Sequence, residues 1–160
     1  GCKRVGMLAL PACRDSWLDY FREQAGVHGL DCKERWIQGV DFGHARWAAN
    51  CVELLMQGGP EDRPDGLVIG DDHLVGHAAA GILSAGVRVP DDLQVVCYAN
   101  FPVRERPVLP FVRIGFDAKE TLGLCLDWLR DRREGHAAEG VIRVPPRFER
   151  QEAPAASRRR

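Results

Sequence analysis

The sequence predicts an α/β fold, a doubly wound parallel sheet with helices on both faces and three layers in all. Three observations predict it. Short apolar runs recur at residues 4–10 (RVGMLAL), 66–70 (GLVIG) and 93–98 (LQVVCY). Runs of this length, bounded by turn residues, suit strands buried on both sides. The segments between them repeat their apolar residues at helical spacing. Glycine and proline then punctuate each change of element. An alternation of this kind makes the strands parallel, and right-handed crossovers favour the doubly wound open sheet.

The first strand, residues 4–10, closes at Pro11. Asp15 or Ser16 caps a helix reaching about residue 28, with Trp17, Leu18, Phe21 and Ala25 inward and Gly26 and Gly29 at its end. Residues 34–37 form a second short strand, followed by a turn over 39–43. The next helix, about 44–57, turns Trp47, Cys51, Leu54 and Leu55 inward and stops at Gly58, Gly59 and Pro60. A polar loop over 61–64 leads to the strand at 66–70, and Asp71 and Asp72 open a third helix over 73–85 that Gly86 ends. Pro90, Asp91 and Asp92 turn the chain into the strand at 93–98. Pro102, Pro107 and Pro110 make residues 101–111 an extended loop. A strand over 112–116 follows, and Asp117 with Glu120 starts a helix that runs to about Arg133. Residues 141–144 are a last short strand before Pro145 and Pro146, and the small, basic tail 153–160 is expected to be disordered.

A chain of 160 residues is about one domain and buries a sizeable core. Hydrophobic residues at 45% and charged residues at 28% fit a soluble globular protein. A net charge of -1 lacks the basic surplus of a nucleic-acid binder. No apolar run reaches the roughly 18 residues that span a bilayer. Lys3 and Arg4 lead straight into a strand, so the start shows no signal-peptide pattern. The six cysteines are scattered, without a C-x-x-C pair or zinc-type spacing. Cys51, Cys97 and Cys125 sit in apolar stretches and are expected to be buried, reduced thiols of a cytoplasmic protein.

Ligands of open parallel sheets bind at the carboxyl ends of the strands. Those ends carry Cys13, Arg14 and Trp17, then Asp41 and Phe42, then Asp71, Asp72 and His73, then Ala99, Asn100 and Phe101. Fixed polar groups beside an aromatic face are what sugar recognition requires. Asp71 is read as the main ligand contact and Asp72 as a helix cap. The competing reading makes Asp71 itself a cap, Asn100 a turn residue and Trp17 a core residue. His73 and His77 lie four apart on one helix face and invite a metal reading with Asp71 and Asp72, but no third ligand of suitable spacing accompanies them. No metal and no cofactor is expected. Asp71 also stands where doubly wound phosphotransfer proteins place a nucleophilic carboxylate. The lysine and hydroxyl such a site needs are not supplied by Ala99 and Asn100, and no G-x-S-x-G, P-loop or G-x-G-x-x-G occurs, so catalysis is not expected.

Residues 65–98, DGLVIGDDHLVGHAAAGILSAGVRVPDDLQVVCY, resemble the most recognisable stretch of the lactose/galactose-repressor family of bacterial transcription regulators. There a strand ends in an acidic or amide pair, a helix follows, a Gly-x-x-x-Pro turn closes it, and the next strand ends in Tyr-Asp. The proline-rich loop, Ile114-Gly115-Phe116-Asp117 with its helix, and the ending Val144-Pro145-Pro146-Arg147-Phe148-Glu149-Arg150 resemble the family as well.

The resemblance implies a two-lobed, periplasmic-binding-protein-like fold. Residues 1–111 are the C-terminal lobe. Residues 112–144 are a crossover strand, helix and return strand related to the N-terminal lobe, and 145–152 are the final strand segment. Most of the N-terminal lobe and the DNA-binding segment are expected to precede Gly1. The implied partners are a small-molecule effector, a carbohydrate by family analogy, a second copy of the chain, and operator DNA through a domain outside this sequence. No membrane is implied. The alternative function is an extracytoplasmic sugar-binding protein of a transport system. Asp71 matches the family's hydroxyl-contacting position. Ala99 replaces the usual aspartate, with Asn100 the nearest polar substitute, and the position of the family's cleft-edge arginine falls nearer Trp17, so the arginine is displaced to Arg14 or absent. From their place at the second strand's end, apart from the resemblance, Asp41 or Phe42 is expected to reach the pocket. The last helix carries Leu122, Leu124, Cys125, Leu126, Trp128 and Leu129, a stripe wider than one contact surface requires. In the chain alone it is expected to fold back or to dock on a second copy.

Overall fold

All five residues of β1 (Val5–Ala9) are buried, as a strand covered on both faces must be. The computed structural model describes residues 1–11, 16–102, 108–135 and 141–149. Around β1 the chain builds α1 (Ser16–Val27), β2 (Ile37–Gly39), α2 (Trp47–Leu55), β3 (Gly66–Ile69), α3 (Asp72–Ser84), β4 (Gln94–Phe101), β5 (Val112–Asp117), α4 (Ala118–Arg133) and β6 (Arg147–Phe148). The strand order is β2-β1-β3-β4-β5-β6. All neighbours pair in parallel except β6, which runs antiparallel to β5. This is the predicted doubly wound sheet with one antiparallel edge strand.

Register explains the core. Leu8 pairs with Ile69, Ile69 with Cys97, and Leu67 with Val95, so these side chains form rows on one face. Against them pack Ala48, Val52 and Leu55 of α2 and Leu74, Ala78 and Ile82 of α3. The two helices approach closely because Gly81 has no side chain. A Cβ there would come within 2.8 Å of the Ala49 Cα. On the opposite face, the Met7 side chain and the Trp17 ring of α1 lie within 3.6 Å of where a Gly70 Cβ would stand.

Some expectations shift. The second strand starts at Ile37, because residues 34–36 close a 3-10 turn that buries Trp36. The inward face of α2 is Ala48, Val52 and Leu55, whereas Trp47 and Leu54 are exposed. Burial follows the line to α3: of the predicted stripe Leu55 lies on it, Cys51 is half-buried, and Trp47 and Leu54 stand off it. The last strand is Arg147–Phe148, not residues 141–144. Residues 145 and 146 are prolines without amide donors. Ile142 and Val144 instead face α4, where they line a groove of about 460 Å³ with Leu124, Cys125, Trp128 and Leu129. Among the described residues, α4 finds little cover beyond this groove. It buries no residue, and Leu122, Leu126 and Leu129 are each more than half exposed. The tail 153–160 lies outside the described residues.

At the edge of the sheet, Arg113 of β5 is buried and pairs with Glu149 just beyond β6. Its Nε donates to Glu149 Oε2 at 2.6 Å, and its second nitrogen donates to Oε1. Arg147 pairs with Asp117, the residue that caps α4 through the amides of Lys119 and Glu120.

The described cysteines Cys2, Cys32, Cys51, Cys97 and Cys125 are all free thiols. Only Cys97 meets the expectation of full burial. Cys51 is half-buried and Cys125 exposed, because α4 does not pack on the core. Burial pushes the Cys97 thiol up to about 11. That cuts its thiolate at neutral pH about 100-fold relative to an ordinary thiol. A thiol-reactive probe on the folded chain should label Cys125 first and leave Cys97 intact until denaturant is added. Early labelling of Cys97 would contradict its burial.

Candidate functional site

In the order β2-β1-β3, the chain winds outward in both directions from β1 and β3. The carboxyl side of this switch point is the place where open α/β sheets bind ligands. Gly70 and Asp71 follow β3 into it. Asp71 has extended backbone and its side chain accepts from the His73 amide at 2.9 Å, so Asp71 is the cap of α3. Asp72, expected to be the cap, is the first residue of the helix. Its carboxylate is turned toward β4.

There it meets the end of a longer strand than expected. β4 continues through Ala99, Asn100 and Phe101, so Asn100 is a strand residue and not part of a turn. Alternation along β4 puts Tyr98 and Asn100 on one face. The Tyr98 hydroxyl donates to Asn100 Oδ1 at 3.0 Å, and Asn100 Nδ2 donates to Asp72 Oδ2 at 3.0 Å. His73 Nδ1 lies 3.0 Å from both Asp71 Oδ1 and Asp72 Oδ1. Partial burial, followed by the charges of Asp72 and Asp71, raises the Tyr98 phenol above its ordinary value and keeps it an O–H donor.

The aromatic wall comes from the end of β2. The Phe42 ring meets the His73 ring edge-on with centroids 4.7 Å apart. Asp41 accepts from the Gly43 amide at 2.8 Å and so holds the short turn that presents Phe42. Trp17 is 52% exposed, which rules it out as a core residue. Arg14 lies outside the described residues. The structure therefore brings Asp71, Asn100 and Phe42 together through Asp72 and His73, with Asp41 behind Phe42 and Trp17 beside Gly70. Tyr98, Asp72 and His73 were not counted as site members in the sequence. Alternation along β4 carried the signal for Tyr98.

This group offers carboxylate and amide acceptors, amide and imidazole donors, and an exposed aromatic face. Asp71, Asp72 and His73 also bring one ligand atom each within 4.8 Å of one another, with the imidazole nitrogen already shared between the two carboxylates.

A family model described as a periplasmic binding protein-like domain matches residues 1–152. The chain belongs to that family. No curated protein matches the sequence. Among solved structures, a LacI family transcriptional regulator from Bifidobacterium animalis superposes with a TM-score of 0.76 at 20% identity, over 92% of this chain and 54% of that one. The Escherichia coli transcriptional repressor ascG gives 0.76 at 17% identity, over 94% and 55%. A LacI family regulator from Lactobacillus casei with bound glucose gives 0.73 at 18%, over 93% and 55%. The periplasmic-binding-protein-like chain thus spans about half the length of these regulators. Its fold is that of the matched half of these regulators, as residues 65–98 indicated. No described helix is long and apolar enough to cross a membrane.

Proposed function

We propose that this chain forms part of the effector-sensing region of a cytoplasmic, dimeric, LacI-type transcription regulator, and that its effector is a carbohydrate. One observation carries the reading. At the switch point of a periplasmic-binding-protein-like lobe, Asp71, Asp72, His73 and Asn100 form a connected polar group beside the exposed ring of Phe42. Such a group suits the hydroxyls and C–H faces of a sugar. The Lactobacillus casei regulator with the same fold binds glucose. No catalytic role is assigned. Residues 1–111 supply one wall of the cleft. β5, α4 and the segment to Val144 belong with the second lobe, whose sheet would cover the leucines that α4 leaves exposed. The effector acts through unequal affinity for two lobe arrangements and so alters operator binding by a separate domain.

Thermal unfolding of the full-length regulator tests this. A sugar present at 100 times its Kd adds about 2.7 kcal/mol of stability. D-glucose, D-galactose, D-ribose and sucrose form the first panel. Asp71→Ala should lower the affinity for the active sugar at least 10-fold and leave operator binding unchanged. An unaltered response in Asp71→Ala would confine Asp71 to its capping role.

A further inference from the structure

The polar group of the cleft is tied to the crossover strand by one side chain. Tyr98 stands at the centre of β4, with its hydroxyl on Asn100 and its ring 6.3 Å from the ring of Phe116 in β5. The register places Asn100 directly beside Phe116. Asn100 is exposed, and a carboxamide in that position turns freely unless both ends are held. Here both are. Asp72 as a carboxylate only accepts, so the amide nitrogen must face it, and the carbonyl oxygen is left for a donor. The Tyr98 hydroxyl is that donor.

We propose that Tyr98 is a positioning residue of the effector site: through the Asn100 carboxamide it fixes the Asp72 carboxylate in the cleft, and Asp72 is the acceptor that selects effector hydroxyls. The assignment rests on the effector reading above. It follows that Ala99 need not carry a polar side chain. The acceptor comes from α3, one strand over, and β4 supplies the tether. The tether also joins the cleft to the strand that leads toward α4, since Tyr98 touches both Asn100 and Phe116.

Two measurements on the full-length protein test this. The first needs no ligand. Melting temperatures of Tyr98→Phe, Asp72→Ala and the double variant form a cycle, and Tyr98→Phe keeps the ring against Phe116 while removing only the hydroxyl. A working tether makes the two losses non-additive, so Tyr98→Phe costs little once Asp72 is gone. Fully additive losses overturn the tether. The second measures affinity for whichever of D-glucose, D-galactose, D-ribose and sucrose binds the wild type. Tyr98→Phe should weaken it about 5- to 10-fold, the scale of one hydrogen bond, and less than about 2-fold in the Asp72→Ala background. Asp72→Asn, which keeps a side-chain oxygen to accept from Asn100, should retain more affinity than Asp72→Ala. Equal loss from Tyr98→Phe in both backgrounds would show that the hydroxyl does not act through Asp72 and would overturn the positioning role. If none of the four sugars binds the wild type, the carbohydrate reading falls, and with it the selective role of Asp72, while the ligand-free cycle still decides the tether.

Discussion

Gly81→Ala should lower the melting temperature of the chain by roughly 4–8 °C, corresponding to about 2 kcal/mol of overpacking. The new methyl group would press on the Ala49 Cα, carbonyl carbon and oxygen, backbone atoms of α2 that have no rotamer by which to withdraw. Gly81 is buried at the crossing of α2 and α3, the two helices that seal one face of the sheet. Gly76 provides a control within the same helix. Nothing lies within 4 Å of a Cβ at Gly76, which is exposed. Gly76→Ala should therefore raise stability by about 0.5–1 kcal/mol through helix propensity alone. Circular dichroism melts of both variants check the pair. Equal effects of the two substitutions would show that α2 and α3 are not in backbone contact.

In hydrogen exchange, the amides of α4 in the isolated chain should exchange roughly 1,000-fold faster than those of α3. The two helices contrast in what holds them. α3 buries Leu74, Ala78, Ala79, Gly81 and Ile82, whereas α4 buries no residue. A helix of 16 residues without a buried face is near the length at which isolated helices are marginal. Capping by Asp117 and the basic last turn of Arg130, Arg132 and Arg133 support it at its ends, but only locally. In the full-length regulator, docking of the second lobe on Leu122, Leu126 and Leu129 should restore protection. Exchange in α4 as slow as in α3 in the isolated chain would remove the argument that α4 awaits a covering surface.

The sheet was legible because its signals are local. β1 and β3 are apolar runs buried almost throughout, and such runs are buried whichever neighbours they take, whereas β4 alternates buried residues with more open ones. The start of α4 was legible for the same reason, since Asp117 caps within its own turn. Asp71 was placed at its strand end by the apolar run before it. The inward face of α2 was less legible. Trp47 and Leu54 are as apolar as Val52 and Leu55, and only the line of approach of α3 chooses between the two stripes. The roles of Asp71 and Asp72 were not separable in sequence either. Both residues suit a cap, and the choice turns on the Asn100 amide, which is 28 positions away in the chain.

β5 and β6 are antiparallel neighbours at one rim of the sheet, with Arg113 locked to Glu149 and Arg147 to Asp117. Under the lobe assignment proposed above, these are the outgoing and returning connections to the rest of the regulator. Two ropes moored at separate points would let a second body slide and roll. Two ropes lashed together at the mooring behave as the pin of a door. Neither strand can slip along its own axis without dragging the other in the opposite sense, so sliding is resisted and swinging is left. Under that lobe assignment, the expected motion is a swing at the joined strands, where Ile114 pairs with Phe148 and Gly115 with Arg147.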